Sequence, residues 1–242
     1  MGYGPEMAGR ILDLLSREEQ LDHYLRRGRK AGCTPLTRVS QGYPAVLRSR
    51  LGMDCPGCLW AKGDLSILAM PKVSLVGSRD LEPENLRFAA EVGRQAALQD
   101  YVLVSGNARG ADRTAQEACL AAGGKVISVV ADRLDEKRQQ DHVLYLSQED
   151  FDQPFSAQRA LSRNRVIHCL GEKTFVAQCS LESGGTWDGT TKNLRYGWSP
   201  VYVFADGSAA SAALDALGAL PVLPEMLGKL GGLPVFHNLF EK

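Results

Sequence analysis

Five short apolar runs frame this chain. Lys72-Val73-Ser74-Leu75-Val76 ends in Gly77, and Tyr101-Val102-Leu103-Val104 ends in Ser105-Gly106. Val126 to Val130 follows Gly123-Gly124, and Thr174-Phe175-Val176-Ala177 and Val201-Tyr202-Val203-Phe204 repeat the pattern. Helix-compatible segments lie between them. One runs from about Pro83 to Leu98, with Pro83 suited to a first helical turn, and an Ala-rich one covers residues 111–122. Strands this apolar, alternating with helices, must be covered on both faces. The expectation is an α/β fold with a mostly parallel sheet.

The first 40 residues read differently. Met7, Ile11, Leu14 and Leu15 fall at helical spacing. Ser16 to Glu19 fits a capping box opening a second helix that carries Leu21, Tyr24 and Leu25. This divides the chain into a helical cap, 1–40, and a main α/β domain, 41–242. The composition, 44% hydrophobic and 23% charged over 242 residues, excludes a disordered or fibrous chain. Six cysteines are too sparse for a disulfide framework. The N-terminus shows no apolar signal core, and no run reaches the ~18 apolar residues of a membrane span. A cytoplasmic protein without membrane association is expected.

Charge alone is uninformative until it is mapped. Basic and acidic residues both number 28, which argues against a surface that is everywhere basic. Residues 1–50, however, hold nine bases against five acids, and residues 156–197 hold six against three. Residues 132–152 carry seven acids against three bases.

In an open α/β sheet, ligands bind beyond the carboxyl ends of the strands. Three loops at such ends are unusual. Gly77-Ser78-Arg79 combines close backbone approach, a hydroxyl and a guanidinium fork suited to phosphate. Ser105-Gly106-Asn107-Ala108-Arg109-Gly110 brackets a turn with glycines before a helix N-terminus, which favours anions. Ser183-Gly184-Gly185-Thr186 opens a segment with Lys192 and Arg195. A fourth element, Arg163-Asn164-Arg165, spreads over roughly 200° of a helix, so at least one arginine is free to reach a cleft.

Taken in order, these segments resemble the DNA-processing protein A family (DprA/Smf). Gln41 to Leu47 is similar to its Tyr-Pro motif, and Cys55 to Gly63 falls where the family has a Lys-Gly strand. Val76 to Arg79, Ser105 to Asp112, Ala118 to Gly124, Ser162 to Ile167 and Ser183 to Thr186 match further motifs. The resemblance implies an extended Rossmann-like domain that binds single-stranded DNA and helps load the RecA recombinase, as a homodimer. It implies no cofactor, no metal and no catalytic residue. Carried over by motif, DNA contacts fall to Gly77, Ser78, Arg79, Ser105, Gly106, Arg109, Gly110, Arg163, Asn164 and Arg165. Gly184, Gly185 and Thr186 form the third loop, and Lys192 extends the surface.

The chain also departs from that pattern. The segment after Val130 keeps only Leu134-Asp135, and residues 206–242 are too few for the C-terminal winged-helix module of many members. Gly184-Gly185-Thr186 leans toward the LOG phosphoribohydrolases, although Ser183 replaces their proline and Asp188 comes one residue early. The alternative is therefore a nucleotide sensor, or a hydrolase of nucleoside monophosphates, in the same cleft. An open basic groove fits DNA; a closed pocket with a poised carboxylate fits the hydrolase.

Other signals point to structure. Cys55-Pro56-Gly57-Cys58 has zinc or redox spacing, but no second pair follows, and it precedes a strand, Leu59-Trp60-Ala61. His23, His142, His168 and His237 are scattered, with His168 one turn from Asn164 on a helix face. Asp112 is expected to cap its helix or order the preceding loop.

Overall fold

The computed structural model describes residues 4–235. The apolar runs become the strands β3 (Lys72–Val76), β4 (Val102–Ser105), β5 (Lys125–Val129), β7 (Thr174–Val176) and β8 (Val201–Phe204). Four more join them: β1 (Thr34–Thr37), β2 (Cys58–Lys62), β6 (Val143–Ser147) and β9 (Leu220–Val222). Their order across the sheet is β1-β2-β6-β5-β4-β3-β7-β8-β9. All pairings from β6 to β9 are parallel, whereas β1–β2 and β2–β6 are antiparallel. This is the extended Rossmann-like architecture: a parallel sheet doubly wound with helices, with an antiparallel extension at one edge.

The alternation of side chains along each strand divides the core in two. Val73, Leu75, Leu103, Val126 and Phe175 face α4 (Pro83–Leu98) and α5 (Ala111–Ala121). Val76, Val102, Val104, Ile127 and Val176 face the other layer. That layer holds α3 (Ala45–Leu51), α6 (Ala157–Leu170), α7 (Gly184–Tyr196) and α8 (Ala209–Ala216). Gly93 lets α4 and α5 touch, since a Cβ there would overlap the Ala115 backbone. Pro83 takes the first-turn position of α4, as its fixed φ allows.

The amino-terminal helices are α1 (Pro5–Leu15) and α2 (Glu18–Lys30). Tyr24 of α2 packs with Trp60 and Phe151, ring centroids 5.7 and 4.8 Å away, and Arg27 meets Asp152 at 2.7 Å. The capping box does not form. Ser16 stays at the carboxyl end of α1 with its hydroxyl donating to the Asp13 carbonyl, and Arg17 takes the N-cap of α2 without a side-chain bond. β1 lies within the first 40 residues, yet its partner is β2 of the sheet. Among the described residues, no helix is long and apolar enough to cross a membrane.

Residues 206–235 extend the sheet and its cover. β9 extends the parallel edge, where Pro221 is tolerated. The 3-10 segment Pro224–Gly232 then buries Leu227 and Leu230 in the same core as α4.

Candidate functional site

The chain runs β3-β4-β5-β6 to one side, then returns to place β7, β8 and β9 on the other side of β3. The switch in winding therefore lies between β3 and β7, where the loops diverge and leave a crevice. A cleft of about 500 Å³ opens there, within the size range of ligand sites. Its walls are the loop after β3 (Gly77, Ser78, Arg79, Asp80), the residues after β7 (Gln178, Ser180), and the start of α7 (Ser183, Gly184, Gly185, Thr186). Arg163 and Asn164 of α6, with Ala108 and Asp112, complete it.

Backbone contacts hold the first two loops together. The Ala111 amide donates to the Ser78 carbonyl at 3.2 Å, and the Ser78 amide donates to Gln178 O at 2.9 Å. Gly110 makes this possible: its φ is +80°, and a Cβ would run into the carbonyls of Ser78 and Arg79. The Ser78 hydroxyl is also engaged, donating to Gln178 O at 3.2 Å. Its contribution to the cleft is therefore shape as well as chemistry.

The charges are unequal in availability. Arg109 is tied to Asp80 at 2.9 Å, both exposed. Arg79 forms no ion pair with any described residue. Arg163 is buried, with its guanidinium over Gly106 and 3.9 Å from Asp112. Among the described residues its Nε has no partner. Burial draws the Arg163 pKa down and pushes the Asp112 carboxyl up, each opposed by the other's charge. A pair that far apart, and that deep, leaves the guanidinium under-compensated. Asp112 meanwhile accepts from the Ala108 amide at 3.2 Å and orders the loop after β4; the N-cap of α5 is Gly110.

The third wall is a helix N-terminus. Ser183 at the N-cap of α7 makes no side-chain capping bond, and Gly184 adopts φ +81° with open space beside it. Asn164 donates to the Gly185 carbonyl at 3.0 Å, fixing the loop against α6. The first amides of α7, with the positive end of its dipole, thus face the cleft that holds Arg79 and Arg163.

The expected residues separate into three groups. Gly77, Ser78, Arg79, Arg163, Asn164, Gly184, Gly185 and Thr186 line this cleft. Ser105, Gly106 and Gly110 sit behind its wall, and Arg109 lines a smaller adjoining hollow with Arg79 and Arg163. Arg165 and Lys192 face a neighbouring cleft, where Lys192 pairs with Asp188 at 2.8 Å. Gln178 and Ser180 were not singled out from sequence. Their position just past β7, at a strand end by the switch, is the signal that marks them.

His168 lies away from the cleft. It is fully buried, with Nδ1 3.1 Å from Asn193 Nδ2 and Nε2 without a partner among the described residues. Burial pushes its pKa down to about 3. The unfolded chain binds that proton near pH 6.5 and the folded one near pH 3. Stability from this residue is therefore full above pH 6.5 and falls as pH drops toward 3, by about 1.4 kcal/mol per unit. His168→Asn, which keeps an acceptor for Asn193, is expected to flatten that slope relative to the parent in urea unfolding at pH 7 and pH 5. Parallel slopes in the two proteins would refute a neutral buried histidine. His237 lies outside the described residues.

Cys55 is buried against the Tyr43 hydroxyl at 3.0 Å, and Cys58 opens β2. No group of three or more metal-ligating side chains occurs among the described residues.

Comparisons with known proteins agree on the family. Residues 34–193 match the family model described as DNA recombination-mediator protein A. The DNA processing protein DprA of Streptococcus pneumoniae (strain ATCC BAA-255 / R6) is 36% identical over 142 residues, covering 54% of this chain and 50% of the relative. Protein Smf of Escherichia coli (strain K12) is 28% identical over 156 residues, covering 60% and 41%. This chain thus spans about half the length of the curated relatives it matches. The X-ray structure of DNA processing protein A from S. pneumoniae superposes with a TM-score of 0.76 at 25% identity, over 90% of this chain and 79% of that one. DNA processing protein A from Helicobacter pylori, whose structure is described for its single-stranded DNA binding mode, gives 0.67 at 24%, over 82% and 95%. With two thirds of its residues, including every loop of the cleft, inside the matched span, the chain belongs to the DNA recombination-mediator protein A family.

Proposed function

We propose that this protein binds single-stranded DNA in the cleft at the β3–β7 switch and acts as a recombination mediator without catalytic chemistry of its own. The observation that carries it is the convergence on one open cleft of Arg79, in no ion pair with a described residue, under-compensated Arg163 and the α7 amides, which Ser183 does not cap. Amides and guanidinium forks together suit a phosphate oxygen, and arginine planes also stack on bases. The relatives' description as DNA processing proteins points the same way.

The disposition of the carboxylates favours this reading over a nucleotide hydrolase. Asp112 is engaged by the Ala108 amide and faces Arg163, Asp80 is engaged by Arg109, and Asp188 stands outside the cleft beside Lys192. Each of these carboxylates already has a partner, whereas a general base needs a free oxygen aimed at its substrate.

The mediator reading extends to partners. A homodimer in the cytoplasm would hold the strand in this cleft and deliver it to the RecA recombinase, with the acidic stretch 132–152 as a surface for a partner protein. Fluorescence anisotropy with labelled oligo-dT is expected to show saturable binding that weakens as salt rises. Incubation with nucleoside monophosphates is expected to release no free base. Base release without oligo-dT binding would transfer the cleft to the hydrolase reading.

A further inference from the structure

Beyond the phosphate-facing cleft, a groove continues between α6 and α7. A shallow stretch beside Leu161, Gly185 and Asp188 leads into a second cleft of about 520 Å³, and Leu161 and Asn164 border both clefts. From Gly184 to Tyr196 the helix rises about 18 Å, a span that a few nucleotides would cover.

At the far end of that groove Tyr196, 60% exposed, stacks against Trp198 with ring centroids 5.6 Å apart and planes 21° from parallel. Trp198 is itself partly buried against the core, so the pair is held from beneath. Arg195 lies 5.6 Å from the tyrosine centroid and forms no ion pair with a described residue, so it can move aside at little cost. Arg50 and Arg165 stand in the wall of the same cleft. Arg50 is locked there by the carbonyls of Cys169 (3.0 Å) and Gly171 (2.5 Å). Asp54 and Asp188 also line it, the latter neutralised by Lys192 at 2.8 Å.

We propose that this second cleft is a base-stacking subsite, in which Tyr196 is the platform for a base and Arg165 with Arg50 lies alongside the backbone of the same strand. A large aromatic ring kept at the surface on a rigid support, next to arginines, is the combination that single-stranded nucleic acids use without sequence preference. The proposal rests on the single-stranded DNA reading of the first cleft and extends its footprint along α7.

The test compares short and long oligo-dT probes, of about 4 and about 16 nucleotides, the range of single-fold site sizes. Tyr196→Ala is expected to weaken the long probe about 5- to 100-fold, the worth of one stacked base, and to leave the short probe within about twofold. Tyr196→Phe, which keeps the ring, is expected to bind both as the parent does. Equal long-probe affinity in the parent and Tyr196→Ala overturns the subsite while leaving the first cleft intact. An equal loss on both probes also overturns it, since that would be a global effect. Failure of the parent to bind either probe removes the DNA reading and this proposal with it.

Discussion

Arg163→Met is expected to remove oligo-dT binding by about 100-fold or more and to cost about 3 kcal/mol of stability, the low end for breaking a buried ion pair. Asp112→Asn added to it is expected to return most of the stability and none of the binding. The two effects have different origins. Arg163 is almost fully buried, and among the described residues it is the one cation within ion-pair distance of Asp112. Removing the guanidinium leaves a buried carboxylate supported by the Ala108 amide, a lesser backbone contact at Gly106 and the more distant Arg79 charge. Methionine keeps the packing of the stem, so the loss is electrostatic. Asparagine at 112 keeps a carbonyl oxygen for that amide and no charge to bury. Chemical denaturation separates the stability effect, and anisotropy the binding effect. If the double variant regains affinity along with stability, Arg163 is a scaffold residue and does not contact the ligand.

Gly110→Ala is the second large effect. At φ +80° and ψ −130° the backbone is in a region open to glycine and strained for any side chain. The added Cβ would also strike the carbonyls of Ser78 and Arg79. Strain of about 1–3 kcal/mol adds to the displacement of two loops that share the Ala111–Ser78 hydrogen bond. A loss of about 2–5 kcal/mol is expected, with Arg79 carried away from the cleft and affinity falling in parallel. Gly184→Ala is the control. It too has positive φ, +81°, but open space around it, so only the conformational part of the cost applies. Equal losses in the two variants would show that contact between the loops contributes nothing.

The legible parts of the molecule were those that local chemistry dictates. β3, β4, β5, β7 and β8 are nearly continuous apolar runs because both faces of a parallel sheet are covered. The loops after β3 and β4 were visible because glycine is demanded where two loops approach closely, as Gly77 and Gly110 do. β1 and β9 escaped notice because they are short and, in β9, interrupted by Pro221, and β6 because it lies inside the acid-rich stretch 132–152; their pairing depends on neighbours remote in sequence.

Arg163, Asn164 and Arg165 show the limit most clearly. Their fan around a helix was evident, but which one faces the cleft depends on how α6 is rotated against β3, which contacts far along the chain decide. That rotation buries Arg163, directs Asn164 to the Gly185 carbonyl and turns Arg165 toward the second cleft. Lys192 was read as a free cation, and its pairing has a simple cause. Asp188 sits one turn earlier on the same helix and pairs with it. Ser16 illustrates the same point in small: a capping signature fails when the preceding helix takes the hydroxyl first.

In the proposed complex Arg79 and its neighbours grip the phosphates of a single strand. The direct measurement is oligo-dT affinity against salt concentration for the parent and for Arg79→Ala. Loss of one charge-assisted contact predicts about 10- to 100-fold weaker binding at low salt. It also predicts a log–log salt slope shallower by about 0.7, the share of one phosphate on a single strand. Superimposable salt titrations for the two proteins would contradict the account.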